Sequence, residues 1–106
     1  TDSGILVAQT ESPWVSSYHT GIRQIYEDLG SLFRFTNLYL CYIPLYPSGM
    51  WSMMIASRSV DPLDVAVTER SKAGWGHLGN LRYYTPDVHR ASFALPGFVE
   101  RILTGA

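Results

Sequence analysis

A short loop between two apolar runs constrains the fold of this chain more than any other feature of its sequence. The runs occupy residues 35–43 (FTNLYLCYI) and 51–57 (WSMMIAS), and the loop between them contains YPSG. Runs rich in β-branched and aromatic residues favour strands, and a short loop with proline and glycine joins such strands as an antiparallel hairpin. A turn does not require the large rings of Tyr46 and Trp51, so these two side chains raise the question of a ligand.

Another apolar run lies close to the first residue of the chain, at residues 4–9 (GILVAQ). A run that is apolar on both faces is typical of a strand buried in a parallel sheet, and parallel strands need neighbours and crossover helices. Little sequence precedes this run. We therefore expect either that the chain is the tail of a larger fold or that a partner supplies the missing layers.

Helical periodicity accounts for much of the rest. An apolar stripe with helical spacing predicts a helix over residues 16–33. Its members are Ile22, Ile25, Tyr26, Leu29, Leu32 and Phe33. Two short helices are predicted to begin near Thr85–Pro86 and near Pro96, after an irregular segment at residues 58–83 that can include a helical turn near residues 63–69. The resulting order, β-α-β-β followed by short terminal helices, predicts an α/β fold.

Composition excludes several classes of protein. The chain has 106 residues, which is one domain at most, and its 46% apolar and 16% charged residues favour a packed core over disorder. A net charge of −1 argues against nucleic acid as the main partner. One cysteine, Cys41, permits no internal disulfide, and no run reaches the roughly 18–20 apolar residues of a membrane helix. We expect a cytoplasmic protein.

Candidate binding residues occur at the predicted strand ends. Gln9 ends the first predicted strand and Glu11 lies two residues beyond it, where an amide and a carboxylate could hold a cationic amine or could be a satisfied amide and a solvated loop acid. Tyr46 and Trp51 could cover an apolar or cationic ligand or could only cap the sheet. The histidines show no metal-ligand spacing with each other or with Cys41, and no nucleophile elbow, P-loop or G-x-G-x-x-G motif occurs. We therefore predict no metal site.

Three segments together resemble the spermidine synthases, the polyamine aminopropyltransferase family. GILVAQTESPW is similar to the family's strand and loop after the catalytic segment. IPLYPSGMWSMMIAS resembles its I-P-T-Y-P-S-G-x-W-x-F hairpin, with Leu45 in place of threonine, and LRYYTPDVHRASFALPGFVERIL resembles its terminal Y-Y-x-x-D-x-H-x-A-x-F-x-L-P-x-F segment. Residues 64–80 fit the family least well. The resemblance implies the C-terminal part of a Rossmann-like methyltransferase fold, incomplete as a stand-alone sheet, with residues 1–106 as a C-terminal fragment of the catalytic domain.

The family transfers an aminopropyl group from decarboxylated S-adenosylmethionine to putrescine, giving spermidine and methylthioadenosine without a metal. By resemblance, Gln9 would hydrogen-bond the acceptor amine and Glu11 would help to bind the far end of the diamine. Tyr46 and Trp51 would line the acceptor tunnel, and Pro47 would pack near the thioadenosine of the co-substrate. The resemblance assigns no catalytic residue to this chain.

The family's glycine-rich co-substrate loop, its ribose-binding acidic residue and its D-[ST]-[ST]-D-P catalytic segment do not occur in this sequence. We therefore expect the isolated chain to be inactive, to bind no co-substrate by itself, and to need the missing N-terminal portion or a second copy as partner. One alternative is a truncated, non-enzymatic paralogue that associates with itself or with a synthase. Another is a small-molecule binder that retains only polyamine recognition.

Overall fold

A three-stranded sheet with helices on both faces makes up the part of the chain that the computed structural model describes, residues 1–64 and 81–105. In chain order the elements are β1 (Ile5–Gln9), a 3-10 turn (Ser16–Tyr18), α1 (His19–Leu32), β2 (Phe35–Tyr42), β3 (Met50–Ser57), α2 (Pro86–Ser92) and α3 (Gly97–Thr104). The predicted β-α-β-β order and the two short terminal helices are confirmed. The helical turn predicted near residues 63–69 falls mostly outside the described residues.

The hairpin forms as the sequence predicts. β2 and β3 pair antiparallel along their whole length, with Phe35 opposite Ser57 and Tyr42 opposite Met50. β3 is the central strand, because β1 pairs with its other side to give the order β1-β3-β2. The tip of the hairpin therefore lies at the same end of the sheet as the loop that follows β1.

One face of the sheet carries the hydrophobic core. Side chains alternate between the two faces of a strand, so Leu38 and Met54, which are paired across the hairpin, point to the same side. There they pack against Ile22 of α1 and against Val99 and Ile102 of α3. Burying an aliphatic or methionine side chain of this kind stabilises a fold by about 1.5–3 kcal/mol relative to leaving it in water. This cluster fixes α1 and α3 against the sheet.

The opposite face of β2 is covered by α2. The ring of Tyr39 lies against the ring of Phe93, with centroids 5.5 Å apart. α2 begins as predicted, because the Thr85 side chain accepts a hydrogen bond from the Val88 backbone N–H at 3.0 Å and Pro86 occupies the first turn. His89 bonds the Pro62 carbonyl oxygen at 2.7 Å through Nε2. α2 is thereby tied to the segment that follows β3.

The prediction that the first strand is buried on both faces between parallel neighbours is wrong for the described residues. β1 lies at an edge of the sheet and pairs antiparallel with β3. Ile5 and Val7 are each 55% exposed and Leu6 is 38% exposed. The physical reason is that an apolar run specifies a preference for burial but not the layer that buries it. Within the described residues, α2 reaches β2 and does not extend over β1.

Neither a helix suited to crossing a membrane nor a metal-binding cluster occurs among the described residues. No described helix combines the length and the apolar character needed to cross a membrane. Within residues 1–64 and 81–105, no group of three or more histidine, cysteine, aspartate or glutamate side chains is arranged so that it could hold a metal ion.

Candidate functional site

Buried hydroxyl groups join the loop after β1 to the start of β3. The Thr10 backbone N–H donates to the Ser52 carbonyl oxygen at 3.0 Å, which extends the β1–β3 ladder by one residue beyond Gln9. The Ser52 hydroxyl donates to the Glu11 carbonyl oxygen at 2.6 Å. Its proton is then committed, so the Thr10 hydroxyl is the donor in the 2.5 Å contact between the two side chains. Both side chains are buried, and the chain therefore leaves β1 along a fixed path.

A second hydroxyl pair joins the same loop to the hairpin tip. The Oγ atoms of Ser12 and Ser48 lie 2.6 Å apart, although the two residues are far apart in sequence. Ser12 is fully buried and also accepts a hydrogen bond from the Trp14 backbone N–H at 3.3 Å. Ser48 lies on the exposed turn. The loop after β1 and the turn between β2 and β3 thus form one rim at this end of the sheet.

The turn itself is closed by backbone hydrogen bonds and by two residues of left-handed conformation. Ile43 donates to the Gly49 carbonyl oxygen at 3.0 Å, and Gly49 donates to the Tyr46 carbonyl oxygen at 3.2 Å. Ser48 and Gly49 have φ of 73° and 71°. Glycine adopts this region freely, whereas serine does so at a cost. The conformation places Tyr46 back over the start of β3.

Tyr46 and Trp51 contact each other directly. Their ring centroids are 4.8 Å apart at an interplanar angle of 61°, an edge-to-face pair of the kind that aromatic quadrupoles favour. Tyr46 is 38% exposed, so the pair presents ring surface to solvent. The indole nitrogen of Trp51 is shielded from solvent and has no hydrogen-bond acceptor among the described residues. The pair therefore offers an apolar and π-rich surface, whereas the unused indole donor is buried.

Gln9 and Glu11 lie at the same end of the sheet as this pair. Gln9 is paired with Met53, two residues from Trp51 on the neighbouring strand, so alternation directs Gln9 and Trp51 to the same face. Glu11 is held by its backbone through Ser52, and its carboxylate side chain is exposed. Pro47 is exposed on the turn. The arrangement sets an amide, a carboxylate and two rings around one rim, which is chemistry suited to an alkyl ammonium ion.

Three cavities lie away from the rim in the described part of the chain. One of about 320 Å³ lies between α1 and α3, and others of about 400 Å³ and 150 Å³ lie between β2 and α2. None of the three is lined by Gln9, Glu11, Tyr46, Pro47 or Trp51. The binding roles of these five residues remain predictions.

Burial perturbs two ionisable groups on β2. It raises the pKa of the Cys41 thiol, because the thiolate is less well solvated there than in water. Burial also raises the pKa of Tyr39, and the nearby Cys41 adds a smaller contribution in the same direction. Both shifts favour the neutral form, and Cys41 is the cross-strand partner of Trp51.

Sequence reasoning missed the hydroxyl groups that hold the rim together, namely Thr10, Ser12, Ser48 and Ser52. One local signal was available, because Ser52 interrupts an otherwise apolar strand and a buried hydroxyl needs a partner. The sequence did not indicate which partner each hydroxyl would have, since the pairs join distant positions whose approach depends on the strand register.

Comparison with known proteins gives a consistent result. The sequence model of the spermine/spermidine synthase domain family matches residues 1–65. The polyamine aminopropyltransferases of Shouchella clausii and Caldicellulosiruptor saccharolyticus are 43% and 40% identical over 102 residues, which is 96% of this chain and 34% of each of those proteins. The chain thus spans about a third of the length of the curated relatives it matches.

Solved structures show the same fold. The crystal structure of spermidine synthase from Thermotoga maritima matches 98% of this chain and 35% of that protein, with a TM-score of 0.81 and 36% sequence identity. A spermidine synthase in complex with the transition state analogue AdoDATO matches the whole chain and 34% of that protein, with a TM-score of 0.80 and 35% identity. These matches confirm the predicted fold class, part of a Rossmann-like methyltransferase fold. The chain belongs to the spermine/spermidine synthase family.

Proposed function

We propose that residues 1–106 form the C-terminal part of the catalytic domain of a spermidine synthase and supply one wall of its amine acceptor site. The complete protein would transfer an aminopropyl group from decarboxylated S-adenosylmethionine to putrescine. The observation that carries this proposal is the rim: the Ser12–Ser48 hydroxyl pair joins the loop after β1 to the turn that carries Tyr46. The Thr10–Ser52 pair joins the same loop to β3, and Tyr46 contacts Trp51. The family match over residues 1–65 covers all of these residues.

In the proposed reaction, a neutral amine of the diamine attacks the methylene carbon beside the sulfonium. The new C–N bond forms as the C–S bond breaks, methylthioadenosine leaves with the bonding electron pair, and the amine loses a proton to a carboxylate. This chain would not supply that carboxylate, because its sequence has no D-[ST]-[ST]-D-P segment. Its contribution would be to hold the acceptor in position, and positioning supplies much of the rate enhancement in reactions between two bound molecules.

Each rim residue has a role that follows from its chemistry. The Gln9 side-chain oxygen can accept a hydrogen bond from the attacking amine, and the exposed Glu11 carboxylate can bind the ammonium at the far end, directly or through a water molecule. The faces of Tyr46 and Trp51 can cover the methylenes between the two nitrogens. A cation over such a ring gains about 0.5–2 kcal/mol, the larger value when it is desolvated. Pro47 would pack near the thioadenosine.

The test is an aminopropyl transfer assay with the isolated chain and with the chain supplied with the preceding part of the family's length, here called the completed protein. We expect no transfer by the isolated chain and spermidine formation by the completed protein. Transfer by the isolated chain would contradict our proposal that this chain binds the acceptor amine but lacks the carboxylate that accepts the amine's proton. Failure of the completed, folded protein to use any diamine would refute the proposed function.

We also propose that the completed protein acts in the cytoplasm on a free polyamine and that it is oligomeric. The single cysteine, which permits no internal disulfide, supports a reducing compartment. The exposed apolar side chains of β1 support association with another chain segment, either the missing portion or a second copy.

The open edge of β1 favours a second candidate function. Ile5 and Val7 are each 55% exposed on a strand that, within the described residues, pairs on one side only. A truncated, non-enzymatic paralogue could use this edge to associate with itself or with a synthase. Light scattering at micromolar concentration tests this alternative, which requires a stable oligomer. A monodisperse monomer that becomes active with the missing portion would exclude it in favour of the enzyme.

A further inference from the structure

The left-handed conformation of Ser48 needs a compensating interaction. Its φ is 73°, in a region that costs a residue with a Cβ roughly 1–2 kcal/mol relative to the right-handed region. The following residue, Gly49, adopts a similar φ of 71° without that cost. A glycine at position 48 would relieve the strain, so the serine side chain is expected to supply something that glycine cannot.

The structure shows what the side chain supplies. Ser48 Oγ lies 2.6 Å from Ser12 Oγ, and Ser12 is 0% exposed. Ser12 is itself held in place, because its hydroxyl accepts a hydrogen bond from the Trp14 backbone N–H. It also lies in the loop that the Thr10 hydroxyl joins to Ser52 of β3. An exposed turn residue is thus bonded to a buried hydroxyl that cannot move independently of the sheet.

We propose that the Ser12–Ser48 hydroxyl pair is a positioning device for the acceptor wall. It holds the turn of Tyr46 and Pro47 against the loop that carries Glu11 and follows Gln9, so that the two halves of the wall keep a fixed spacing. Neither serine touches the substrate; both act through the side chains that they place. The expected effect on enzyme kinetics rests on the proposed function. The structural part of the proposal, that the hydroxyl pair fixes the Tyr46 ring over Trp51, does not depend on that function.

Ser48→Gly separates positioning from local stability. If Ser48 served only the turn, glycine would preserve or improve the fold because the strain disappears. If the hydroxyl pair positions the wall, glycine releases the turn while leaving the fold intact. Ser59→Gly is a matched control, since Ser59 is also exposed and its hydroxyl also bonds a distant loop, the Asp2 carbonyl oxygen at 2.6 Å, at the other end of the sheet. A Ser12→Ala variant and the double variant complete the set.

The first readout does not depend on activity. The indole N–H of Trp51 is shielded and has no acceptor among the described residues, so its NMR resonance reports the position of the Tyr46 ring above it. We expect Ser48→Gly and Ser12→Ala each to shift and broaden this resonance, and Ser59→Gly to leave it unchanged, with the melting temperature of Ser48→Gly equal to or above that of the parent chain. An unchanged indole resonance in both rim variants would overturn the proposal whatever the enzyme does.

The second readout uses the completed protein. We expect Ser48→Gly to raise KM for the diamine by about tenfold, equivalent to about 1.4 kcal/mol, with KM for the sulfonium co-substrate changed less than twofold. The double variant should be no worse than the more impaired single variant, because both remove the same contact. Additive effects, or equal rises in both KM values, would overturn the proposal. Absence of transfer by the unmodified completed protein would instead refute the proposed function.

Discussion

β1 and β3 are both apolar strands, yet they occupy opposite environments. β3 lies between two strands, with Met54 fully buried and Ala56 1% exposed. β1 lies at an edge, with Ile5 and Val7 each 55% exposed. The two strands pair directly with each other. The difference shows that an apolar sequence makes a strand suitable for burial, whereas the elements packed around the strand determine whether it is buried.

β2 is the other edge strand of the described sheet. β2 is also paired on one side only within the described residues, but α2 covers one of its faces through the Tyr39–Phe93 contact. β1 has no equivalent helix over the face that carries Ile5 and Val7 among the described elements. An exposed edge with apolar side chains is a site for association with another strand. The account therefore predicts that β1 behaves as an interface and β3 as a core.

The largest change in the free energy of unfolding is expected for a substitution in the core. Met54→Ala removes a fully buried side chain between the sheet, α1 and α3, and should lower the free energy of unfolding by about 2–5 kcal/mol. Val7→Ala on the exposed edge should lower it by less than about 1 kcal/mol in the isolated chain. Urea denaturation of both variants measures the two values. Equal losses would contradict the assignment of β3 as core and β1 as edge.

A charged substitution on the edge strand β1 is expected to change the self-association of the chain. Val7→Lys places a charge on the open strand, which should reduce self-association of the isolated chain while leaving its unfolding free energy within about 0.5 kcal/mol of the parent. Leu32→Lys is the matched control, because Leu32 is a single apolar side chain that is 66% exposed at the end of α1. Light scattering over a concentration series should show a difference for Val7→Lys only. Equal effects of the two variants would show that β1 is not the interface.

The smallest expected effect is a shift in the pKa of the Cys41 thiol on β2, the edge strand that α2 covers. Burial raises the pKa of its thiol, so its alkylation rate should reach half of its maximum at a pH above about 8.5, the usual value for cysteine. The same chain in urea should titrate near the usual value. Because the folded pKa is the higher one, this group's contribution to stability is present below the unfolded pKa and is lost as the pH rises through the folded pKa. Identical midpoints in the two states would contradict burial of the thiol.

Local patterns were sufficient to predict the secondary structure. The hairpin, the helix after β1 and the two terminal helices follow from apolar periodicity, the YPSG turn and the Thr85–Pro86 helix start. The position of β1 could not be predicted in this way. Its pattern is the same whether it lies at an edge or between two strands, and the choice depends on segments remote in sequence.

The sequence indicated which residue types form the candidate site, but it did not indicate the hydrogen bonds that hold these residues together. The rings of Tyr46 and Trp51 stood out because a turn does not need them, and the structure brings them into contact. The hydroxyl pairs Thr10–Ser52 and Ser12–Ser48 did not stand out. Each pair depends on the β1–β3 register, which no local pattern specifies, because a shift of one residue would turn every side chain to the other face.

We propose that Tyr46 and Trp51 form a wall for the acceptor amine. The most direct measurement is the steady-state kinetics of Tyr46→Ala in the completed protein, with KM determined separately for putrescine and for decarboxylated S-adenosylmethionine. Tyr42→Ala is the control, since Tyr42 is a 71% exposed tyrosine on the same hairpin. The account predicts a fall of about 10–100-fold in kcat/KM for putrescine with Tyr46→Ala only, equivalent to about 1.4–2.7 kcal/mol. Unchanged putrescine kinetics, or an equal loss with Tyr42→Ala, would contradict it.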